Sequence, residues 1–218
     1  MKITTNTVNV LKNFSAINPS LIITEGNVIK TISTSKTIMA RAKVDSEFTK
    51  RCAIYNLNQF ISVLSLFNDP ELVFHNGHVD IIDSNKKSSY VYSSEDTLKV
   101  KPPEKDIVLP TIDVSFKLTN DNLKDVEKAA GVLGLPEIAV VGDGTVVTIQ
   151  AVDSKNSTSH AFSAEIGNSD KVFRAIFKVD NIKVIPGDYE VNVCSRGISH
   201  FRGNEVEYWI AVEQNSTF

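Results

Sequence analysis

The chain has 218 residues, 42% of them hydrophobic and 22% charged, with a formal net charge of −3. This composition is that of a folded protein large enough for two modest domains, and it excludes a disordered or fibrous chain. An acidic protein does not coat nucleic acid with its whole surface, so any nucleic-acid contact requires a local basic patch.

The first predicted repeat has a short strand at residues 2–3 and a helix over 5–18, which Pro19 ends because proline disfavours helical geometry in the residue before it. The apolar face of this helix has residues spaced three or four apart: Val10, Phe14 and Ile17. Lys12 lies on the opposite face. Three strand-like runs follow, at residues 20–24, 27–33 and 37–44.

The second predicted repeat has the same order of elements. A strand at 51–55 leads into a helix that begins at Asn56, which with Gln59 resembles a capping box, and ends at residues 68–70. Apolar residues cover most of this helix and leave a narrow polar stripe: Asn58, Ser62, Ser65 and Asp69. Strand-like runs follow at 71–75, 78–82 and 88–93, with an Asn-Gly hairpin signal between the first two.

Residues 94–110 interrupt this rhythm. They contain three prolines and mixed charges without periodicity, which is typical of an exposed connector. We therefore predict an N-terminal domain over 1–93, a connector over 94–110 and a C-terminal domain over 111–218.

The third and fourth repeats follow the connector. A strand at 113–118 precedes a helix over 120–133, with Thr119 or Asn120 as its N-cap and Gly134 just past its end. Its predicted buried face has four apolar residues: Leu123, Val126, Ala130 and Leu133. Three strands complete the third repeat, at 137–143, 145–153 and 159–167. The fourth repeat has a strand at 172–179, only a stub of helix at 180–185, and three strands at 188–195, 198–204 and 206–213. Four weakly similar units are the main structural inference.

The sequence offers no membrane or export signal. No apolar run approaches the roughly 20 residues that cross a bilayer, and the amino end lacks the apolar core of a signal peptide. We expect a cytosolic protein, without a membrane partner, whose Cys52 and Cys194 stay reduced.

Candidate catalytic and metal-binding groups do not form a recognised pattern. His75 and His78 resemble an H-x-x-H pair, but neither a cysteine nor a carboxylate is expected at ligand spacing, so we predict no metal site. The glycines at 142 and 144 resemble half a phosphate loop, yet they join two strands and open no helix. We therefore expect no enzyme and no cofactor.

Lysines recur on the predicted helices, on the face away from the apolar stripe. They are Lys12 in the first repeat, Lys124 and Lys128 in the third, and Lys183 beside the fourth. For any one lysine an ordinary solvated helix face is the simpler interpretation. The recurrence favours a shared surface that meets phosphates without reading bases.

Four segments, 11–18, 53–69, 181–191 and 208–217, resemble the sliding clamp of T4-like bacteriophages. The resemblance implies an α+β DNA-clamp fold, with two domains that each contain two strand–helix–three-strand units. It implies that three chains close head to tail into a ring around double-stranded DNA and tether the replicative DNA polymerase for processive synthesis. It further implies an ATP-driven clamp loader, contact with the late-transcription machinery, no catalytic residues, and a location in the cytoplasm of the infected bacterial host.

The resemblance also assigns residues to surfaces. Lys12 coincides with a basic position of the family's lumen, and Lys128 falls where a basic residue is expected on the third helix. Together with the other lysines, they make the predicted DNA-binding set: Lys2, Lys12, Lys124, Lys128 and Lys183. Thr5 replaces a lysine expected there, and Asp125 and Glu127 are acidic neighbours, so this lumen is less basic than in relatives.

The subunit interface pairs the strand at 88–93 with the strand at 159–166 of the next chain, both otherwise exposed edges. Its predicted contact residues are Tyr90, Tyr92 and Phe162. An outer pocket for partner peptides is expected between the connector end and the final strand, formed by Val108, Leu109, Pro110, Tyr208, Ile210 and Val212. For the strand residues, ordinary sheet core is the alternative.

Two other classes of protein are compatible with parts of this pattern. A structural ring or tube protein of a virion would share the repeats and the head-to-tail assembly but would not need lysines on the helices. An enzyme ranks third because no catalytic constellation supports it.

Overall fold

A computed structural model describes all 218 residues, Met1–Phe218. The chain forms two compact units, unit 1 (Met1–Glu104) and unit 2 (Lys105–Phe218). The boundary lies within the segment predicted as a connector, whose first residues therefore belong to unit 1. No helix has the length and apolarity that a membrane span requires.

Unit 1 contains the first two repeats. Its elements are α1 (Thr5–Ile17), β1 (Leu21–Ile23), β2 (Gly26–Ile32), β3 (Ile38–Phe48), β4 (Cys52–Ile54), α2 (Leu57–Leu64), β5 (Glu71–Phe74), β6 (His78–Asp83), β7 (Lys86–Val91) and a short 3₁₀ helix (Glu95–Thr97). Strand β1 pairs with β4, β2 with β3, and β6 with both β5 and β7, all antiparallel. Helix α1 packs on β3 and beside α2. The predicted opening strand is reduced to a single bridge between Lys2 and Glu71.

Unit 2 contains the third and fourth repeats. Its elements are β8 (Val114–Leu118), α3 (Asn120–Leu133), β9 (Glu137–Asp143), β10 (Val146–Val152), β11 (Phe162–Asn168), β12 (Val172–Lys178), a short 3₁₀ helix (Val179–Asn181), β13 (Tyr189–Cys194), β14 (Ile198–Arg202) and β15 (Val206–Ala211). One antiparallel sheet has the order β11-β10-β9-β12. In the other group of strands, β13 pairs with β8 and β14, and β14 also pairs with β15. Helix α3 packs on β9, β10 and β11. The order of elements confirms the α+β repeat, with the expected stub in the fourth copy.

The helices begin where their cap residues stand. The Asn56 side chain accepts a hydrogen bond from the Gln59 backbone N–H at 3.0 Å, and Thr119 accepts one from Asn122 at 3.3 Å. Each bond satisfies one of the amides that a helix start leaves without a partner. Gly134 ends α3 in the left-handed region, at φ 64°, which a residue without a Cβ adopts easily.

Helix α2 is shorter than predicted. It ends at Leu64, whereas the sequence suggested that it continues to the residues before Pro70. The next residues form 3₁₀-type turns, because the N–H groups of Leu66 and Phe67 bond to carbonyls only three residues back, at 3.1 and 3.2 Å. The Ser65 hydroxyl also donates to a backbone carbonyl, that of Ser62, at 2.7 Å. Such local bonds compete with helix continuation.

Two apolar residues do not lie where the pattern placed them. Leu133 is exposed rather than buried, because α3 ends there and Leu135 enters the core in its place. Leu98 is buried with Ile22 and Ala53, so the predicted connector is not exposed along its whole length. Both errors arise at element ends, where periodicity no longer determines which way a side chain points.

The strand β15 carries the single tryptophan of the chain. Trp209 is 4% exposed and its ring stacks on that of His200, with 4.7 Å between centroids and 4° between planes. The His200 Nε2 lies 3.1 Å from a Glu207 carboxylate oxygen, which fixes the imidazole beneath the indole. The indole N–H itself has no hydrogen-bond partner.

One glycine of β9 is required by a close approach, and this gives a stability prediction. A Cβ on Gly142 would lie 2.7 Å from the Phe173 ring atom Cδ1 and 2.7 Å from the Lys171 carbonyl oxygen. Since Phe173 is buried and the carbonyl belongs to the backbone, neither can move freely. Gly142→Ala should therefore lower the free energy of unfolding by about 1–3 kcal/mol, measured by urea denaturation.

The matched control is Gly131→Ala, in α3, where a Cβ would meet no atom within 4 Å. This substitution should raise the free energy of unfolding by about 0.5–1 kcal/mol, because alanine loses less conformational entropy in a helix. Equal effects of the two substitutions would contradict the packing described for β9.

Candidate functional site

The lysine of α1 projects into solvent, as the pattern predicts. Lys12 is exposed and makes no ion pair, while Val10, Phe14 and Ile17 on the other face are buried. The polar stripe of the neighbouring helix α2 is likewise exposed: Asn58, Ser62 and Ser65. The outward side of this helix pair is therefore mainly polar and weakly basic.

The two lysines of α3 form the corresponding surface of unit 2. Lys124 and Lys128 are one turn apart and exposed, and neither makes an ion pair. Asp125 is exposed beside them, while Glu127 is half-buried, and burial raises the pKa of its carboxyl. Carboxylates thus lie between the two lysines and offset their positive charge.

The other two predicted DNA-binding lysines are less available. Lys2 is exposed, but its ammonium is bonded to the Asp69 carboxylate, which raises the pKa of Lys2 and offsets its charge. Lys183 is half-buried, follows the 3₁₀ helix and has other interactions, so it does not extend freely from a helix. Lys12, Lys124 and Lys128 are the better candidates for phosphate contact.

Each unit has an unpaired strand edge. Strand β7 is the last in the order β5-β6-β7, and β11 is the last in the order β11-β10-β9-β12. Beside β7 lies a hollow of about 500 Å³ lined by Tyr55, Val63 and Val91 among others. Tyr55 and Val91 are large exposed hydrophobic residues, at 63% and 72%. An open edge next to exposed apolar side chains is typical of a protein–protein contact surface.

The tyrosines predicted at this interface pack within their own unit. The Tyr90 hydroxyl donates to the Asn56 carbonyl at 3.1 Å, and its ring meets Phe60 edge-on with 5.1 Å between centroids. Tyr92 is half-buried just beyond the end of β7. Phe162 is half-buried at the first position of β11. Tyr90 therefore contributes mainly to the local core. The exposed side chain of this edge is Val91.

The predicted partner pocket is not supported at the final strand. Tyr208, Ile210 and Val212 are all buried, and the Tyr208 hydroxyl accepts a hydrogen bond from the Ile185 N–H at 3.0 Å. These residues are sheet core, the alternative that the sequence left open, because the alternating face of β15 points inward. In the connector, Val108 is 83% exposed, Pro110 is exposed and Leu109 is half-buried.

A cleft that the sequence did not indicate lies in unit 1. It has a volume of about 440 Å³ and combines apolar walls with a charged rim, formed by Ile22, Val28, Pro102, Pro103, Lys30, Arg51, Lys101 and Glu104. Arg51 binds the Glu95 carboxylate through two nitrogens, at 2.6 and 2.9 Å, and this ion pair lowers the pKa of Glu95. The start of the connector is thereby tied to the strand region that carries Arg51. No periodicity signals such a cleft, because its walls are far apart in sequence.

A carboxylate does accompany the two histidines, contrary to the sequence prediction. The possible ligand atoms of His75, His78 and Asp80 lie within 4.8 Å of one another. Hydrogen bonds from Ser89 and Lys87 hold the pKa of the Asp80 carboxyl well below its usual range. Asp80 lies two residues after His78 on β6, and the hairpin folds so that its carboxylate meets both imidazoles, which the spacing of the histidines alone does not reveal.

Comparison with known proteins places this architecture. Residues 3–99 match the family model described as DNA polymerase processivity factor, and residues 115–214 match that described as gp45 sliding clamp, C terminal. The chain is 33% identical to the sliding clamp of Vibrio phage KVP40 over 98% of this chain and 99% of the relative. It is 29% identical to that of Escherichia phage RB69 over 100% and 99%.

The fold is shared more widely. The solved structure of A. fulgidus PCNA with the C-terminal region of FEN-1 superimposes with a TM-score of 0.71 at 13% identity, covering 96% of each chain. Four repeats in two units, with basic residues on exposed helix faces and an open strand edge in each unit, define a protein of the DNA-clamp class. The chain belongs to the sliding clamp family of T4-like bacteriophages, and it is a processivity clamp. These matches do not favour a structural protein of a virion.

Proposed function

We propose that three copies of this chain close head to tail into a ring that encircles duplex DNA. The observation that carries the proposal is the pair of open edges, β7 in unit 1 and β11 in unit 2. Pairing of the β7 edge of one copy with the β11 edge of another is a heterologous contact, and such contacts form rings when the rotation closes. Strand addition at each junction would satisfy the unpaired backbone groups of both edges.

The helices line the hole in this proposal, and their lysines face the phosphates. Three exposed lysines per chain, Lys12, Lys124 and Lys128, give a small and sequence-independent attraction. Weak attraction is what a sliding ring requires, because the closed topology retains the DNA and tight binding would stop movement. The ring performs no chemistry; it tethers the replicative DNA polymerase, is opened by an ATP-driven clamp loader, and contacts late-transcription factors in the cytoplasm of the infected bacterial host.

The topology of binding is tested on nicked circular DNA with the phage clamp loader and ATP. After loading, the protein should stay with the circle through gel filtration and should be lost once a single restriction cut gives the DNA free ends. A protein that dissociates equally fast from circular and linear DNA is held by contacts alone, and that result would overturn the ring proposal.

Partner peptides are proposed to dock in the cleft of unit 1. Its apolar walls suit one or two buried anchor side chains of a peptide. Val28 lines this cleft and is half-buried on β2. The connector residues Leu109, which is half-buried, and Pro110, which is exposed, are the competing location, as predicted from the sequence.

A peptide from the polymerase tail distinguishes the two locations. Val28→Glu should weaken its affinity about tenfold or more, because the carboxylate would be buried against an apolar anchor. The Leu109→Ser, Pro110→Ser double variant should leave the affinity unchanged, measured by fluorescence anisotropy. The opposite pattern would place the docking site at the connector.

A further inference from the structure

The histidine pair of the β5–β6 hairpin is arranged around one buried carboxylate. The Nε2 of His75 lies 3.1 Å from one Asp80 oxygen and that of His78 lies 3.6 Å from the other. The two imidazoles stack, with 4.6 Å between centroids and 21° between planes. About 40% of each histidine side chain is exposed, whereas Asp80 is 5% exposed, so the carboxylate forms the floor and the imidazoles the open side.

The backbone holds these three groups in place. The N–H of His75 bonds to the carbonyl of His78 at 2.9 Å, which closes the hairpin turn. Asp80 lies two residues further along β6, opposite Ser89 of β7, whose hydroxyl donates to one carboxylate oxygen. A ligand carboxylate that is itself hydrogen-bonded is oriented before any ion arrives.

We propose that His75, His78 and Asp80 bind one divalent transition-metal ion, with Zn²⁺ as the matching ion. Zn²⁺ takes imidazole nitrogen and carboxylate oxygen at about 2.0–2.1 Å in tetrahedral geometry, which places neighbouring ligand atoms about 3.3 Å apart. Each imidazole nitrogen lies near that distance from a different Asp80 oxygen, at 3.1 and 3.6 Å, and the possible ligand atoms of the three residues all lie within 4.8 Å of one another. Three protein ligands leave the fourth position to water. Mg²⁺ and Ca²⁺ prefer sites made of oxygen and do not fit two imidazoles.

A neighbouring lysine competes with the ion. The Lys87 ammonium lies 2.9 Å from an Asp80 oxygen, and its side chain is 59% exposed. In the metal-free protein it balances the carboxylate charge. An entering ion takes over this role and leaves the flexible lysine side chain in solvent. Removal of the Lys87 charge should therefore strengthen metal binding, the opposite of the effect of removing a ligand.

Metal binding would stiffen the edge of the sheet, and this holds whether or not the ring forms. The carbonyl of Gly77, between the two histidines, accepts the Tyr92 N–H at 3.0 Å, which ties the turn to the chain that leaves β7. An ion between the turn and β6 would fix the turn and, through it, the end of β7. The bound protein should accordingly unfold at a higher temperature.

Calorimetric titration of the full chain, made without a polyhistidine tag, with ZnCl₂ tests the proposal. We expect one Zn²⁺ per chain, an affinity at least tenfold weaker in His75→Gln and in His78→Gln, and a severalfold tighter affinity in Lys87→Ala. His160→Gln is the matched control, because it removes an exposed imidazole of unit 2 and should leave the affinity unchanged. MgCl₂ should give no binding heat.

Two further measurements make the outcome decisive. Co²⁺ in place of Zn²⁺ should give the intense visible absorption of a four-coordinate ion, and His78→Gln should abolish it. Zn²⁺ should raise the melting temperature of the unsubstituted protein and not that of His78→Gln. The proposal is overturned if the folded protein binds no Zn²⁺, or if His160→Gln weakens binding as much as His78→Gln does.

Discussion

Val91→Glu should convert the ring into a folded monomer. Val91 is 72% exposed on the open edge strand β7, beside Tyr55 and the hollow that both residues line. If the next copy adds a strand here, the glutamate carboxylate is buried without a partner, at a penalty of about 3–5 kcal/mol for each junction. That penalty weakens each junction more than about a hundredfold. Sedimentation equilibrium at micromolar concentration should give three times the chain mass before the substitution and the chain mass after it.

Val172→Glu is the control for charge and exposure. Val172 is 74% exposed on β12, a strand of unit 2 at the opposite side of its sheet from β11. The Val172→Glu variant has the same substitution at a strand valine that is equally exposed, and it should leave the assembly intact. If both variants sediment like the unsubstituted protein, β7 is not the junction, and the three-membered ring formed through it must be abandoned.

Replacement of Lys12, Lys124 and Lys128 together by alanine should weaken loading and retention on DNA while the assembly persists. All three are exposed on helices and free of ion pairs, so no internal contact is lost. Each lost phosphate contact reduces the magnitude of the slope of log affinity against log salt by about 0.9. The slope of the triple variant should therefore be smaller in magnitude by about 3 per chain. The loss should be uniform across DNA sequences and should shrink as salt rises, because screening already weakens these contacts.

A second triple variant, with Lys43, Lys117 and Lys155 changed to alanine, removes the same charge from exposed positions outside the α-helices. It should load and slide like the unsubstituted protein. Retention that falls equally in the two triple variants would indicate a general effect of net charge. Retention that is unchanged in the helix variant at low salt would show that these lysines only solvate the helices.

Most of the fold could be predicted from the sequence, because its helices and strands have clear hydrophobic periodicity and clear residues that mark their ends. Thr119 and Gly134 bound α3 as predicted, and an Asn-Gly turn separates β5 from β6. The errors have local causes. Helix α2 ends early because backbone bonds tighten after Leu64, and Leu133 is exposed because the chain turns immediately after it. Apolar pattern alone does not distinguish a last helical turn from a tight loop.

The surfaces were less predictable than the elements. Exposure of Lys12, Lys124 and Lys128 follows from helical spacing, which fixes the face on which a residue lies. The cluster of His75, His78 and Asp80 depends on the register between strands, and the cleft of unit 1 depends on where the connector returns. The burial of Tyr208 depends on which face of β15 is covered. The local spacing of residues predicts none of these relations between distant segments.

The stacked pair of Trp209 and His200 provides a fluorescence signal that reports on one sheet of this protein. As the only indole of the chain, Trp209 is the source of essentially all fluorescence excited at the red edge of protein absorption. Its emission should be blue-shifted in the native state, because the ring is buried, and dimmed by the imidazole in contact with it. Melting of unit 2 should brighten the emission and shift it to the red, whereas far-ultraviolet dichroism averages over both units. Coincident curves from the two signals would mean that the units unfold as one cooperative block, and separated curves would mean that they unfold in turn.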